Sequence, residues 1–268
     1  MIPYCIVGGT RGTGLQIARQ LVERGAPVRC VARDPVKARS LLPAVIDIRA
    51  GDVTDPASLR RADFGECRVI FFAVDITGGF GDRGFFKPAR QIRTVTYEGL
   101  VNTVEAARGA AFTGRFMLLS GMGSELPSCT GRLLNAVKGN LQCNQRDRDA
   151  YLRNSGLDWS IGRGAVLTNG PGGRADIHIT APVHRLSMLC HLARPDFARA
   201  PIAAADAPVA SGKIFDVFNQ PGIPPTDEAF AAQLEQLGDR AYPETDADRG
   251  NHRRAYPGSQ FGPDPHSF

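Results

Sequence analysis

The chain has 268 residues, 43% of them hydrophobic and 22% charged, which suits one soluble α/β domain with a full core and is short for two. The formal net charge is +5, but the arginines and lysines are scattered and form no basic stripe with interleaved aromatics, which argues against nucleic-acid binding. No apolar run approaches the roughly 20 residues of a membrane span. The cysteines, Cys5, Cys30, Cys67, Cys129, Cys143 and Cys190, make no CxxC pair and no cluster with metal-ligand spacing; reduced, buried thiols and no metal are expected. The first residues run directly into a strand without a signal-peptide pattern, so a cytoplasmic protein is expected.

The first predicted strand, Tyr4 to Val7, runs into Gly8-Gly9-Thr10-Arg11-Gly12-Thr13-Gly14. Leu15, Ile17, Ala18, Leu21 and Val22 then recur at helical spacing, and Gly25 closes the helix. Val28 to Ala32 reads as the second strand, Val36 to Leu42 as a short helix, and Val45 to Ala50 as the third strand. Val69 to Val74 is continuous and apolar, as a parallel strand covered on both faces should be. A helical stretch from about Gln91 to Ala110 precedes a fifth strand at Phe116 to Leu119, and another, roughly Leu133 to Asn154, precedes a sixth at Trp159 to Ile161.

This alternation predicts an α/β Rossmann-type fold: a doubly wound parallel sheet with right-handed crossovers and helices on both faces. After Arg163 the texture changes. Asn169 to Gly173 reads as a loop, Asp176 to Thr180 as a strand, Pro195 to Ala205 as a helix, Ile214 to Phe218 as a strand and Thr226 to Leu237 as a late helix. This smaller C-terminal region, residues 164–240, is expected to build the substrate side of the cleft within one domain spanning 1–240. From Ala241 to the end there are four prolines, few aliphatics and no periodicity, so 241–268 is expected to be a flexible tail.

The glycine loop is the strongest chemical signal. Small residues let backbone N–H groups approach a pyrophosphate, and the helix that follows points its positive end at the anion. Gly8, Gly9, Gly12 and Gly14 meet that need, with Thr10 and Thr13 as hydroxyl donors. The motif follows a strand and opens an amphipathic helix, the context that gives it meaning. The end of the second strand selects between cofactors: an acid there would bind the ribose hydroxyls of NAD. Here the strand ends Val31-Ala32-Arg33-Asp34. Arg33, with Arg11 in the loop, suits a 2′-phosphate and predicts NADPH, while Asp34 leaves NADH open. In Gly51-Asp52-Val53-Thr54-Asp55, Asp52 is placed to accept from the adenine amino group and Val53 to pack on the ring; Asp55 also fits as the cap of a helix starting at Pro56.

Gly8 to Gly14, Gly51 to Asp55, Thr96-Tyr97-Glu98-Gly99-Leu100, Leu152 to Ile161 and Arg194-Pro195-Asp196-Phe197-Ala198 together resemble the atypical short-chain dehydrogenase/reductases, in their NmrA-like, NAD(P)H-binding branch. The resemblance covers roughly residues 2 to 220. It implies that Ala73, Val74, Ser120, Gly121 and the stretch Arg163, Gly164, Ala165 and Val166 line the nicotinamide end of the cleft. It also implies a Tyr and a Lys four residues apart, downstream of a Ser. Ser120 matches that Ser and is the one catalytic candidate the resemblance supplies. The register set by Arg163 puts Gln145 at the Lys position and Leu141 at the Tyr position; taking Lys138 as the Lys puts Leu134 there. Tyr is missing either way, and Gly164 stands where the family commonly has Pro.

With the usual proton donor absent, the other candidate groups are His178, His184 and His191, and Asp75 and Arg83 after the fourth strand; the loop Ile76 to Pro88 is expected to close over the nicotinamide and Pro182 to His191 to form a lid over the substrate. Tyr97 reads as a packing residue. The chain is similar to Tyr-less ketoreductases that tailor aromatic polyketides in antibiotic biosynthesis. That resemblance implies NADPH-dependent reduction of a ketone on an apolar, aromatic small molecule by a monomer or homodimer. The alternative is an NmrA-like redox sensor that holds NADP without turnover.

Overall fold

The computed structural model describes residues 1–75, 88–124, 141–182, 191–220 and 222–237. Arg83, Leu134, Lys138, His184, Cys129, Cys190 and the 241–268 tail lie outside the described residues, as do most of the loop after the fourth strand and most of the expected lid.

β1 (Tyr4–Val7), β2 (Val28–Ala32), β3 (Asp47–Ala50), β4 (Val69–Phe72), β5 (Arg115–Gly121) and β6 (Asp158–Gly164) form a parallel sheet in the order β3-β2-β1-β4-β5-β6. β10 (Lys213–Gln220) adds in parallel beside β6, and β8 (Asp176–Thr180) closes the edge antiparallel to β10. β1, β2 and β4 are buried at every position, which is why β1 and β4 read as unbroken apolar runs rather than alternating ones, while β2 carries the buried Arg29, paired with Asp47 and Glu66.

Helices cover both faces. α1 (Gly12–Glu23) buries Ile17, Ala18 and Leu21 with Phe197, Ala198 and Ile202 of α7 (Arg194–Asp206) in one core. α3 (Pro56–Leu59) and α5 (Gly99–Gly109) supply Leu59, Leu100 and Val104 to the core on the other face. The winding reverses at β1, which sits between β2 and β4. Ligands of such sheets bind at the carboxyl ends of the strands at that reversal.

The remaining elements are α2 (Pro35–Leu41), α4 (Ala89–Arg93), α6 (Leu141–Arg153), α8 (Asp227–Glu235), and a two-stranded parallel pair, β7 (Val166–Thr168) with β9 (His191–Ala193). Among the described residues the predicted strands and helices are present with shifted ends; the start of the helix predicted from Leu133 to Asn154 lies outside them. The third strand starts at Asp47 rather than Val45, because Val45 is exposed and Ile46 turns back to donate to the Pro43 carbonyl. The helix predicted from Gln91 to Ala110 contains a π turn over Thr94–Glu98, which hydrophobic spacing cannot reveal. β7 and β9 escaped prediction because each has only three residues. No helix among the described residues is long and apolar enough to cross a membrane.

Candidate dinucleotide-binding and active site

The turn from β1 into α1 is built for close approach. Gly8 has φ +91° and Gly12 φ +57°, a region open to glycine and costly for other residues. A Cβ on Gly8 would stand 3.0 Å from the carbonyl carbon and oxygen of Ala73, and one on Gly9 would stand 2.7 Å from Cys30 Sγ. On Gly14 it would collide with the Gly8 carbonyl oxygen. The loop is thus pressed onto β2, the end of β4 and itself. Arg11 is the N-cap of α1; no side chain caps the helix and its first turn holds no acidic residue. Its leading N–H groups and the positive end of its dipole therefore face the loop without a carboxylate to answer them. These are the features a dinucleotide pyrophosphate requires.

Beyond the loop, three strands end side by side. β4 runs out into Ala73, Val74 and Asp75, β5 ends at Ser120 and Gly121, and β6 ends at Arg163 and Gly164, with Ser120 opposite Arg163 and Gly121 opposite Gly164. α6 lays Gln145, Arg148 and Asp149 against these ends. A Cβ on Gly121 would collide with the Gln145 side-chain amide. Asp149 Oδ2 accepts from Arg163 Nε at 3.1 Å and Nη2 at 2.7 Å, and both side chains are almost wholly buried. Arg148 Nη1 donates to the Val74 carbonyl at 3.5 Å.

Burial pushes the Asp149 carboxyl up to about 7, against the pull of Arg148, the Ser120 hydroxyl and Arg153; Asp216, in register with Arg163 on β10, adds to the rise. Burial draws the Arg148 guanidinium down, while Asp149 and Asp75 oppose that. Ser120 Oγ is buried beside the Asp149 carboxyl, with no well-aligned hydrogen bond among the described residues. A hydroxyl in that position can donate to an oxygen that gains charge.

A family model described as NAD(P)H-binding matches residues 8–208. The chain belongs to this NAD(P)H-binding family. Among curated proteins none matches its sequence. Solved structures match its fold. An oxidoreductase from Lactococcus lactis is 20% identical, with a TM-score of 0.68 over 89% of this chain and 100% of its own. An anaerobilin reductase from Escherichia coli O157:H7 is 17% identical, with a TM-score of 0.62 over 84% and 100%. A short-chain dehydrogenase/reductase from Veillonella parvula, solved with NADP, is 16% identical, with a TM-score of 0.62 over 82% and 95%. At these identities the likeness is one of fold.

For an NAD(P)H-binding chain, the expected site residues divide into groups. Gly8 to Gly14, Ala73, Val74, Ser120 and Gly121 gather at the carboxyl ends of β1, β4 and β5. Arg33 is exposed just past β2. Asp34 is engaged elsewhere: its carboxylate accepts from the Lys37 N–H at 2.9 Å and caps α2. Arg11 does not sit with Arg33 as the sequence suggested. Its Nη2 donates to the Asp75 carbonyl at 2.7 Å, toward β4, whereas Arg33 lies on the β2 side of β1.

Asp52 Oδ1 accepts from the Thr54 N–H at 2.9 Å and its hydroxyl at 2.8 Å, and Asp55 caps α3 through the Ala57 N–H at 3.0 Å. Val53 is buried against Gly99, which leaves little of its side chain for an adenine ring. Arg163 pairs with Asp149, and Gly164 lies under Leu167 and Phe197. Ala165 is buried and Val166 half-buried. Among the histidines, His178 Nε2 meets Asp176 Oδ2 at 3.0 Å and its ring stacks on Phe218, on the edge strand remote from β4 and β5. His191 is exposed on β9, opposite Val166. Tyr97 is buried in packing, with the Arg93 guanidinium 4.1 Å over its ring. Asp149 and Arg148 were missed; the available signal was that Asp149 falls one helical turn after Gln145, on the same face.

Proposed function

We propose that this protein reduces a ketone on an apolar, aromatic polyketide-type substrate with NADPH, without the Tyr/Lys acid pair that the resembled reductases use. One observation carries the reading: Gln145, at the Lys position, lies against Gly121 beside a buried Ser120, and the Tyr position holds Leu141. The site keeps a hydrogen-bond donor and holds neither that Tyr nor that Lys at the matching positions. When bound, NADPH supplies the hydride.

Ser120 Oγ donates one hydrogen bond to the substrate oxygen as negative charge develops. The proton comes from the substrate, from a phenol adjacent to the ketone that holds an internal hydrogen bond. The ends of β4, β5 and β6 supply position and exclude water, effects worth several kcal/mol. Ser120→Ala, His178→Ala and His191→Ala should each lower kcat by about tenfold or less, because loss of a true general acid costs about 10²–10⁴-fold. NADPH oxidation with a hydroxyaryl ketone and with its methyl ether checks the proposal: the hydroxyl form should turn over and the ether should not. Collapse of turnover in any one of those variants, with NADPH binding intact, would give the acid role to that residue.

Arg33 gives the NADPH preference. A charge-assisted pair at the 2′-phosphate contributes about 1.5–3 kcal/mol, so wild type should bind NADPH at least tenfold more tightly than NADH, and Arg33→Ala should erase most of that difference. Equal affinities in wild type, measured by calorimetry, would refute this assignment. The missing Tyr and Lys also favour a second reading, an NADP-holding redox sensor. Tight NADPH binding with no turnover of any aryl ketone, together with capture of a partner protein, would support it instead.

A further inference from the structure

We propose that Arg194, the first residue of α7, is a pyrophosphate-binding residue that lies over the start of α1 beside the glycine loop. This inference rests on the cofactor site described above and adds a side chain to it. A Cβ on Gly12 would stand 3.6 Å from Arg194 Nε and 3.9 Å from its Cδ. The arginine stem therefore lies over the first residue of α1, where the leading N–H groups of that helix are presented.

Two contacts fix it there. Arg194 Nη1 donates to Asn169 Oδ1 at 2.5 Å, and Gln20 Nε2 of α1 donates to the Pro195 carbonyl at 2.7 Å. The parallel pairing of β7 with β9, Thr168 opposite Ala193, brings Asn169 and Arg194 together. A guanidinium carries five N–H donors in a rigid fork, so it can serve Asn169 and an anion at once.

The electrostatics call for an anion. Arg11 and Arg194 both sit at the positive end of α1, and the first turn of that helix has no acidic residue. Cations at a helix N-terminus are unfavourable on their own, whereas a doubly charged pyrophosphate between them is attracted by both guanidinium groups and by the helix dipole. Arg11 is held toward β4 by the Asp75 carbonyl, and Arg194 approaches through Asn169 and the segment beyond β6. The two would clamp the pyrophosphate from opposite sides. Because NAD and NADP share this group, Arg194 contributes affinity without selecting between them, in contrast to Arg33.

Arg194→Met keeps the stem and removes the charge. Titration calorimetry with NADP+ and with NAD+ should show both weakened by the same factor, about ten- to a hundredfold. Arg33→Ala should weaken NADP+ alone. The contact that Arg194 makes with Asn169 is exposed, so its loss alone should lower the melting temperature of the ligand-free Arg194→Met variant little. Arg194→Lys, which keeps a point charge and loses the fork, should fall between wild type and Met for both dinucleotides, and it carries the test if the Met variant does not fold. Unchanged affinities in both variants, or a loss confined to NADP+, would overturn the proposal. Failure of wild type to bind either dinucleotide would instead strike at the cofactor site itself.

Discussion

Gly8→Val is expected to abolish NADP(H) binding, with an affinity loss beyond a hundredfold. The position is constrained twice. Its φ of +91° is a conformation that costs an ordinary L-residue roughly 1–2 kcal/mol and a β-branched one more. Its Cβ would also press on the Ala73 carbonyl at 3.0 Å and on Val74 Cγ2 at 3.1 Å. Relief requires the loop to lift from the end of β4, and that movement takes away the backbone N–H groups that must converge on the pyrophosphate. Gly8→Ala should show the same loss to a smaller degree. The sheet beneath is buried on both faces and does not depend on the loop, so the ligand-free variants should keep their circular dichroism spectra and melt only a few degrees lower. Calorimetric affinity within a few-fold of wild type for Gly8→Val would place the dinucleotide elsewhere.

The fold was legible wherever a segment is buried on both faces or amphipathic. β1 and β4 announce themselves as apolar runs, and α1 by Ile17, Ala18 and Leu21 on one face. The glycine loop was legible because its constraint is local: residues adjacent in sequence form the turn. The rest of the site depends on contacts between distant segments. Arg194 and Gly12 meet only because α7 packs on α1, and no local pattern in Arg194-Pro195-Asp196 records that. Asp149 pairs with Arg163 through the packing of α6 on β6, and a single acid in a polar helix looks like any solvated surface charge. Arg11 shows the opposite failure. Its nearness in sequence to the loop suggested a partnership with Arg33, but the loop directs its guanidinium across β1 to Asp75.

The Asp149–Arg163 pair should prove the most costly polar interaction to break. Its side chains are 4% and 2% exposed, so both groups have been taken from water. Asp149→Ala withdraws the acceptor of both Arg163 Nε and Nη2 while leaving the guanidinium inside. Removing one partner of a buried pair costs about 3–5 kcal/mol, a large part of the 5–15 kcal/mol that typically separates folded from unfolded states. Asp149→Asn keeps a carbonyl acceptor at nearly the same place and should cost less. Replacing both, Asp149→Leu with Arg163→Met, removes the stranded charge along with its partner and should regain most of the loss, because a well-packed apolar pair substitutes for a buried ion pair at little net cost. Urea unfolding of the two single variants and the double variant gives the coupling energy directly. A loss below about 1 kcal/mol for Asp149→Ala, the range of an exposed ion pair, would show that water reaches Arg163 and that the strand ends beneath Ser120 are wetter than this geometry implies.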